Sequence, residues 1–113
     1  SRMHQILSNL VRNALTYTDS GQIRIWYQQN AENFIIKVSD TGIGMNEKQL
    51  LHIFDRFYRI NESRSRDAGG SGLGLSIVKE IVSAHQGDII VDSVVKEGTT
   101  FTILLPNTKL TNT

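Results

Sequence analysis

Three groups of residues have types and spacings suited to binding a phosphorylated ligand. Asn9 and Asn13 lie four residues apart and would share one face of a helix. Asp40 stands just before two closely spaced glycines, so a carboxylate precedes backbone of high conformational freedom. Residues 69–76 (GGSGLGLS) place four glycines directly at the start of a helical pattern. Each group also has an ordinary structural explanation, so the elements that position it have to be considered with it.

The asparagine pair lies at the border of the apolar arc of its helix, beside Ile6. An asparagine oxygen is a hard, neutral ligand, and Mg²⁺ is commonly held by few protein ligands together with phosphates and water. The alternative interpretation is two asparagines at a helix edge that face water. The pair alone does not distinguish the two.

Asp40 ends a segment in which Phe34, Ile36 and Val38 share one face of a strand, so its carboxylate is predicted to point inward. A buried carboxylate requires hydrogen-bond donors, which come from backbone amides of the following turn or from a ligand. A carboxylate accepts from the exocyclic amine of adenine and would repel the carbonyl of guanine. Thr41 can add a hydroxyl, and the glycines after it allow the backbone to approach a flat ring.

The glycines of residues 69–76 predict an anion site, because exposed amides at a helix N-terminus bind anions and glycine permits close approach. Gly69 and Gly74 have P-loop spacing, but Leu75 stands at the lysine position and no strand leads in. No register supplies the dinucleotide fingerprint G-x-G-x-x-G. The cluster therefore predicts a phosphate cradle of another type.

Hydrophobic periodicity predicts the order helix, two strands, short helix, loop, helix and two strands. Helices are predicted at residues 2–17, 47–53 and 72–86, strands at 22–28, 34–40, 88–95 and 99–105, and a long loop at 59–71. Asn46 and Gln49 predict a capping box, and Gly87 is the expected stop of the last helix. This order predicts an α+β fold, a two-layer sandwich in which helices cover one face of a mostly antiparallel sheet.

Composition limits the class of protein. A chain of 113 residues and 12.7 kDa is the size of one domain, and its last residues, 107–113, are expected to form a flexible polar tail. The absence of cysteine excludes a disulfide scaffold and a Cys-based zinc site. A net charge of +1 does not favour a nucleic-acid partner, and no apolar run approaches the length of a membrane span.

Four motifs occur in one order: Asn9 to Asn13, residues 40–44 (DTGIG), residues 54–59 (FDRFYR) and residues 70–75 (GSGLGL). Together they closely resemble the N, G1, F and G2 boxes of the catalytic, ATP-binding domain of bacterial sensor histidine kinases, in the GHKL superfamily. The resemblance covers about residues 4–105, and the segment that ends at Pro106 resembles the family's final strand. It implies the Bergerat fold, with ATP and Mg²⁺ as ligands.

The resemblance implies roles for the matched positions. Asn13 is the implied magnesium ligand, and Asp40 is the implied acceptor of the adenine amine. Asn9 also lies at the nucleotide, where related ATPases carry the glutamate that activates water. Since an amide does not take up a proton at neutral pH, we expect slow hydrolysis and a γ-phosphoryl group kept for transfer. Arg59 and Arg64 are implied to reach the phosphates and, with Asn13, to be catalytic. The other implied nucleotide contacts are Tyr17, Thr41, Gly42, Ile43, Gly44, Phe57, Gly70, Ser71, Gly72, Leu73, Gly74 and Leu75.

One position departs from the family pattern, because Thr16 stands where the family often has a lysine. The resemblance implies that the loop at 59–71 is a lid over ATP, and Phe54 and Phe57 are interpreted mainly as packing residues that anchor its hinge. His85 is expected to cap or pack the end of its helix.

Neither His4 nor His85 stands in the family's phosphoacceptor motif, so the acceptor histidine is expected on a separate dimerisation domain. We expect residues 1–106 to be a kinase catalytic domain that donates to that histidine, with a response regulator downstream. The chain starts where the family usually has a further strand. It is therefore expected to be a fragment, and the resemblance implies that the full-length protein is a membrane-anchored homodimeric sensor, with this monomeric part on the cytoplasmic side. The alternatives are a serine kinase of the same superfamily and a nucleotide-binding docking module without histidine phosphorylation.

Overall fold

The computed structural model describes residues 2–58 and 74–106. In chain order they form α1 (Arg2–Thr16), β1 (Ile23–Gln29), β2 (Asn33–Asp40), α2 (Glu47–Leu50), α3 (Gly74–Ala84), β3 (Asp88–Val94) and β4 (Gly98–Pro106). The predicted loop at 59–71, most of the second glycine cluster and the predicted tail at 107–113 lie outside the described residues.

The described strands form one antiparallel sheet in the order β1-β2-β4-β3. The end of β2 lies beside the start of β4, where Asp40 is opposite Thr99. On the other side of β4, Ser93 of β3 is also opposite Thr99. These three residues therefore form one row across the sheet, at the end where the chain leaves β2.

Helices α1 and α3 pack on each other and together cover one face of the sheet. Strands β2 and β4 alternate between buried and half-buried residues, as expected for a sheet with one covered face. The buried core combines Ile6, Leu10 and Ala14 of α1, Val78, Ile81 and Val82 of α3, Ile36 and Val38 of β2, and Phe101, Ile103 and Leu105 of β4, with Met45 and Ile53 from the segments between. This arrangement confirms the predicted two-layer α+β fold.

The cover over the sheet does not extend to its β1 edge. Ile25 and Tyr27 pair with buried residues of β2, yet they are 52% and 71% exposed. On α1, the predicted apolar arc is buried at its centre, while Leu15 at its edge is 63% exposed. Here the hydrophobic pattern predicts the correct element types, but these three side chains are less buried than the pattern suggests.

Both predicted helix boundaries near residue 50 and residue 86 need correction. The capping box is confirmed, since Asn46 and Gln49 bond reciprocally at 2.8 Å, but α2 ends at Leu50 rather than at 53 and gives way to turns. At the end of α3 the left-handed residue is Gln86, with φ 61°, and not Gly87. The amides of Gln86 and Gly87 bond back to Ser83 and Val82, which closes the helix in a Schellman motif.

Gly87 is still required at its position, for a tertiary reason. A Cβ there would overlap the carbonyl oxygen of Leu104 in β4. His85 closes the same turn, with Nδ1 2.8 Å from the carbonyl oxygen of Ile81, which confirms its expected capping role. Within the described ranges, no helix has the length and apolar character needed to cross a membrane.

Candidate functional site

Asp40 is the buried carboxylate at the end of β2, with 7% of its surface exposed. Its Oδ1 accepts a hydrogen bond of 2.8 Å from the Gly42 amide. Burial raises its pKa above the ordinary value of 3.8, and hydrogen bonds from the backbone at Gly42 and Thr99 oppose that rise. The prediction of an inward carboxylate is confirmed, and of the two alternative donors, a backbone amide of the following turn or a ligand, the structure shows the backbone amide.

The base loop, residues 41–45, leaves β2 immediately after Asp40 and is packed against the end of α1. The Ile43 amide donates to the Tyr17 carbonyl oxygen at 3.0 Å. A Cβ on Gly42 would overlap that same carbonyl oxygen and would lie 2.8 Å from Thr18 Oγ1. Gly42 is therefore required by contact between two segments of backbone.

On its other side the base loop contacts the β3–β4 hairpin. The Lys96 amide donates to the Ile43 carbonyl oxygen at 2.8 Å, and the Met45 amide donates to Ser93 Oγ at 2.8 Å. Gly44 has φ 69°, and a Cβ there would overlap the Val94 carbonyl oxygen. The loop is thus held between the end of α1 and this hairpin, which gives both of its glycines a packing reason that sequence reasoning did not provide.

Thr41 and Thr18 stand on either side of the start of this loop. The Thr41 hydroxyl accepts from the Gln22 amide at 2.9 Å, so it joins the loop to the entry of β1. The Oγ1 of Thr18 is buried and has no hydrogen-bond partner within residues 2–58 and 74–106. An unpartnered buried hydroxyl is unfavourable, and a ligand or an ordered water is what normally completes such a group.

The asparagine pair lies where α1 meets the first turn of α3. Asn9 and Asn13 are both half-buried, in agreement with their predicted place at the border of the apolar arc. Asn9 Nδ2 donates to the Gly74 carbonyl oxygen at 3.3 Å. The structure thus brings the predicted N-box face of α1 beside the end of the predicted glycine-rich cradle.

The two phenylalanines of the predicted F box have different surroundings. Phe54 is half-buried, with its ring edge-on to Phe101 at 6.4 Å and the Lys79 ammonium 5.4 Å from its ring, so its predicted packing role is confirmed. Phe57 is 68% exposed and has φ 66°, so the prediction that it packs is wrong. A left-handed turn at this non-glycine residue points its ring away from the core.

The remaining predicted site residues divide into described and undescribed positions. Tyr17 is half-buried and contributes its backbone carbonyl to the base loop, and Leu75 is half-buried against the core. Arg59, Arg64, Gly70, Ser71, Gly72 and Leu73 lie outside the described residues.

Sequence reasoning missed Ser93 and Thr99. Their hydroxyl oxygens are 2.7 Å apart, and Ser93 Oγ also donates to the Gly98 carbonyl oxygen at 3.0 Å. A signal was present, since each is a polar residue on the inward face of a strand whose other inward positions are apolar. Such a residue next to a turn marks a strand end that carries polar contacts.

Comparison with known proteins agrees with this fold. Residues 1–109 match the profile of the family described as histidine kinase-, DNA gyrase B- and HSP90-like ATPases, and the chain belongs to that family. It is 45% identical over 107 residues to the sensor histidine kinase RppB of Synechocystis, covering 94% of this chain and 24% of RppB. It is 44% identical over 108 residues to the sensor histidine kinase WalK of Bacillus subtilis, covering 93% of this chain and 18% of WalK.

Among solved structures, full-length ShkA in complex with AMPPNP superposes with a TM-score of 0.79 at 28% sequence identity. The match covers 93% of this chain and 21% of ShkA. The chain therefore spans about a quarter or less of the length of these relatives.

Proposed function

We propose that this chain is the catalytic domain of a sensor histidine kinase, which binds Mg²⁺·ATP and presents the γ-phosphoryl group to a histidine on another domain. The observation that carries the proposal is Asp40, a carboxylate buried at the end of β2 and held by the Gly42 amide. Backbone hydrogen bonds from Gly42 and Thr99 offset only part of the cost of burying this carboxylate, since its pKa is still raised, and a ligand that donates to it would offset the rest. The relatives named sensor histidine kinases support the same proposal.

The residues around Asp40 fit an adenine base. The carboxylate accepts hydrogen bonds and so favours the amine edge of adenine over the carbonyl edge of guanine. The base loop is fixed by backbone contacts on both sides, which hold the segment that follows the carboxylate in one position. The unpartnered Thr18 hydroxyl beside Gly42 supplies a further polar group that a ligand or water would complete.

Asn13 suits Mg²⁺ because its amide oxygen is a hard neutral donor, and phosphates supply most of the other ligands in such sites. Bound Mg²⁺·ATP would supply the transferable phosphoryl group and a metal that neutralises phosphate charge. The chain's own residues position these groups rather than take part in covalent chemistry. Asn9 keeps its amide on the Gly74 carbonyl and does not act as a base toward water, which favours transfer over hydrolysis.

We also propose how this chain fits into a longer protein. Residues 1–106 form the catalytic unit, and residues 107–113 form a tail. The acceptor histidine belongs to a dimerisation domain of a longer, membrane-anchored sensor whose kinase part faces the cytoplasm, and a response regulator receives the phosphoryl group. The small share of RppB and WalK that this chain covers supports a modular arrangement of that kind.

The experiment that tests this proposal combines nucleotide binding with phosphoryl transfer. By calorimetry, Asp40→Asn is expected to weaken ATP binding about 100-fold, because the amide presents a donor to the adenine amine and removes a charge-assisted bond. With γ-labelled ATP, the native chain should label a phosphoacceptor domain taken from a related sensor kinase and should not label itself.

The matched control is Asp92→Asn, which removes an exposed carboxylate from β3 and should leave ATP affinity unchanged. Unchanged affinity in Asp40→Asn would remove the adenine role. ATP binding without transfer to any acceptor would favour a docking module, and acid-stable labelling of a protein serine would favour the serine kinase alternative.

A further inference from the structure

We propose that Ser93 is a positioning residue that holds the base loop in the conformation that accepts the nucleotide. The expected effect of Ser93 on ATP binding rests on the proposed function, whereas its effect on the base loop can be observed in the free protein. It assigns to a serine of β3 a task in a site otherwise built from α1, β2 and α3.

Ser93 Oγ is the point where three segments meet. It accepts from the Met45 amide at 2.8 Å, donates to the Gly98 carbonyl oxygen at 3.0 Å and lies 2.7 Å from Thr99 Oγ1. Met45 is 4% exposed, so its amide has no water to replace a lost acceptor. One hydroxyl of β3 therefore joins the base loop to the first two residues of β4.

The start of β4 also lies against Asp40. Gly98 has φ 134°, and a Cβ there would overlap the Asp40 carbonyl oxygen. Thr99 is the cross-strand partner of Asp40, and its backbone bonds to that carboxylate. A shift of Gly98 or Thr99 would consequently displace groups that contact Asp40, so Ser93 acts on the carboxylate through these two residues.

The two halves of the base loop are anchored differently. Ile43 is fixed by backbone groups, since its amide bonds to Tyr17 and its carbonyl accepts from Lys96. Met45 is fixed by a side chain, because its amide bonds to Ser93 Oγ. Removal of that hydroxyl would release the second half of the loop and leave the first half and the strand pairing in place.

Proton direction adds a second effect. Ser93 has one proton, and Met45 occupies an acceptor position on its oxygen. Since the Ser93 proton goes to the Gly98 carbonyl, Thr99 donates the bond between the two hydroxyls, and loss of the Ser93 oxygen would free the Thr99 hydroxyl as well.

The molecule contains a matched control pair. Ser39 of β2 and Thr100 of β4 are also cross-strand partners, with hydroxyl oxygens 2.8 Å apart. By strand alternation they lie on the opposite face of the sheet from Asp40 and Thr99. Ser39→Ala therefore removes the same kind of bond without touching the base loop.

The test compares Ser93→Ala, Ser93→Thr and Ser39→Ala in the chain as it stands. For Ser93→Ala we expect Mg²⁺·ATP affinity by calorimetry to fall about tenfold, the typical effect of one buried amide left unpaired. In transfer assays KM for ATP should rise by the same factor with kcat unchanged. Ser93→Thr, which keeps the hydroxyl, should restore affinity, and Ser39→Ala should match the native chain.

Amide hydrogen exchange in the free protein gives a readout that does not depend on nucleotide. The Met45 amide should lose protection in Ser93→Ala while the amides of Ile43 and the strands keep theirs. If the native chain does not bind ATP, the proposed function fails and Met45 exchange still decides the role of Ser93. Unchanged Met45 exchange, or equal loss of affinity in Ser93→Ala and Ser39→Ala, would overturn the inference. If Ser93→Ala does not fold, Ser93→Cys, a weak acceptor of similar size, is judged by the same criteria.

Discussion

The base loop and the first turn of α3 both carry glycines of the candidate nucleotide site, yet they are built in different ways. In the base loop, Gly42 and Gly44 are each forced by backbone of a neighbouring segment that leaves no room for a Cβ. At Gly74, the nearest atom to an added Cβ among the described residues is the Cβ of Asn9, 4.0 Å away, which is ordinary contact. Within that part of the chain, neighbouring backbone excludes a side chain at the first place and not at the second.

In the candidate nucleotide site, this difference in packing corresponds to two tasks, recognition of the base and binding of the phosphates. A base is recognised by shape and by a carboxylate at a fixed position, which requires the rigid surroundings found at Asp40. At Gly74, α1 contacts α3 through the Asn9 amide at 3.3 Å, a longer bond than the 2.8 Å bond at Asp40. Under the proposed function, selectivity for the base is therefore built into the fold around Asp40.

The largest effect is expected from Gly42→Ala, which tests whether neighbouring backbone excludes a side chain in the base loop. The added methyl group meets the Tyr17 carbonyl oxygen, so either α1 or the base loop must move. Overpacking of this kind destabilises a protein by about 3 kcal/mol, and we expect ATP binding to be lost as well. Urea denaturation of the native and variant chains measures the change in unfolding free energy.

Gly74→Ala is the control for that variant. It should be neutral or stabilise by about 0.5 kcal/mol, because alanine favours a helix and meets no close neighbour among residues 2–58 and 74–106. Equal destabilisation of the two variants would contradict the distinction drawn between the two glycines.

Asn13→Ala tests the other end of the site and should have a smaller effect. We expect the enhancement of ATP binding by Mg²⁺ to be lost, roughly tenfold in affinity, as for one interaction with a charged group. Calorimetric titration with and without Mg²⁺ measures it, and Asn33→Ala, at the far end of β2, serves as control. Metal enhancement that persists in Asn13→Ala would assign the ligand to another residue.

The smallest effect concerns the stability of the free protein and its dependence on pH. Because burial raises the Asp40 pKa above 3.8, the folded state binds this proton more tightly than the unfolded chain. The protonated Asp40 side chain therefore contributes most to the free energy of unfolding at low pH, and this contribution is lost as the pH rises from about 3.8 through the raised pKa. Asp40→Asn should accordingly be as stable as the native chain at low pH and more stable at pH 7, by thermal denaturation.

An Asp40→Asn chain that is less stable than the native one at pH 7 would show that the carboxylate serves the fold. The expected result, a variant that is more stable but does not bind ATP, would show that its burial serves the ligand. ATP affinity of the native chain should also fall on acidification, since a protonated carboxyl loses an acceptor.

How far the sequence predicts this protein can be judged at particular residues. The inward direction of Asp40 follows from its spacing to Phe34, Ile36 and Val38, and the start of α2 follows from Asn46 and Gln49. The end of α3 was placed on Gly87, although Gln86 takes the left-handed conformation and Gly87 is needed by β4. Phe57 was expected to pack because it is aromatic, but a backbone turn exposes it.

The sequence alone thus predicts the element types, the fold class and the inward carboxylate at the end of β2, and it indicates the resemblance to sensor kinases. These depend on periods of two and 3.6 residues and on short motifs, which are local properties of the chain. Only the tertiary structure decided why Gly42 and Gly44 are glycines and that Ser93 supports Met45, a contact between residues 48 positions apart. Contacts of that kind depend on how strands pair and where loops cross, and no local pattern encodes them.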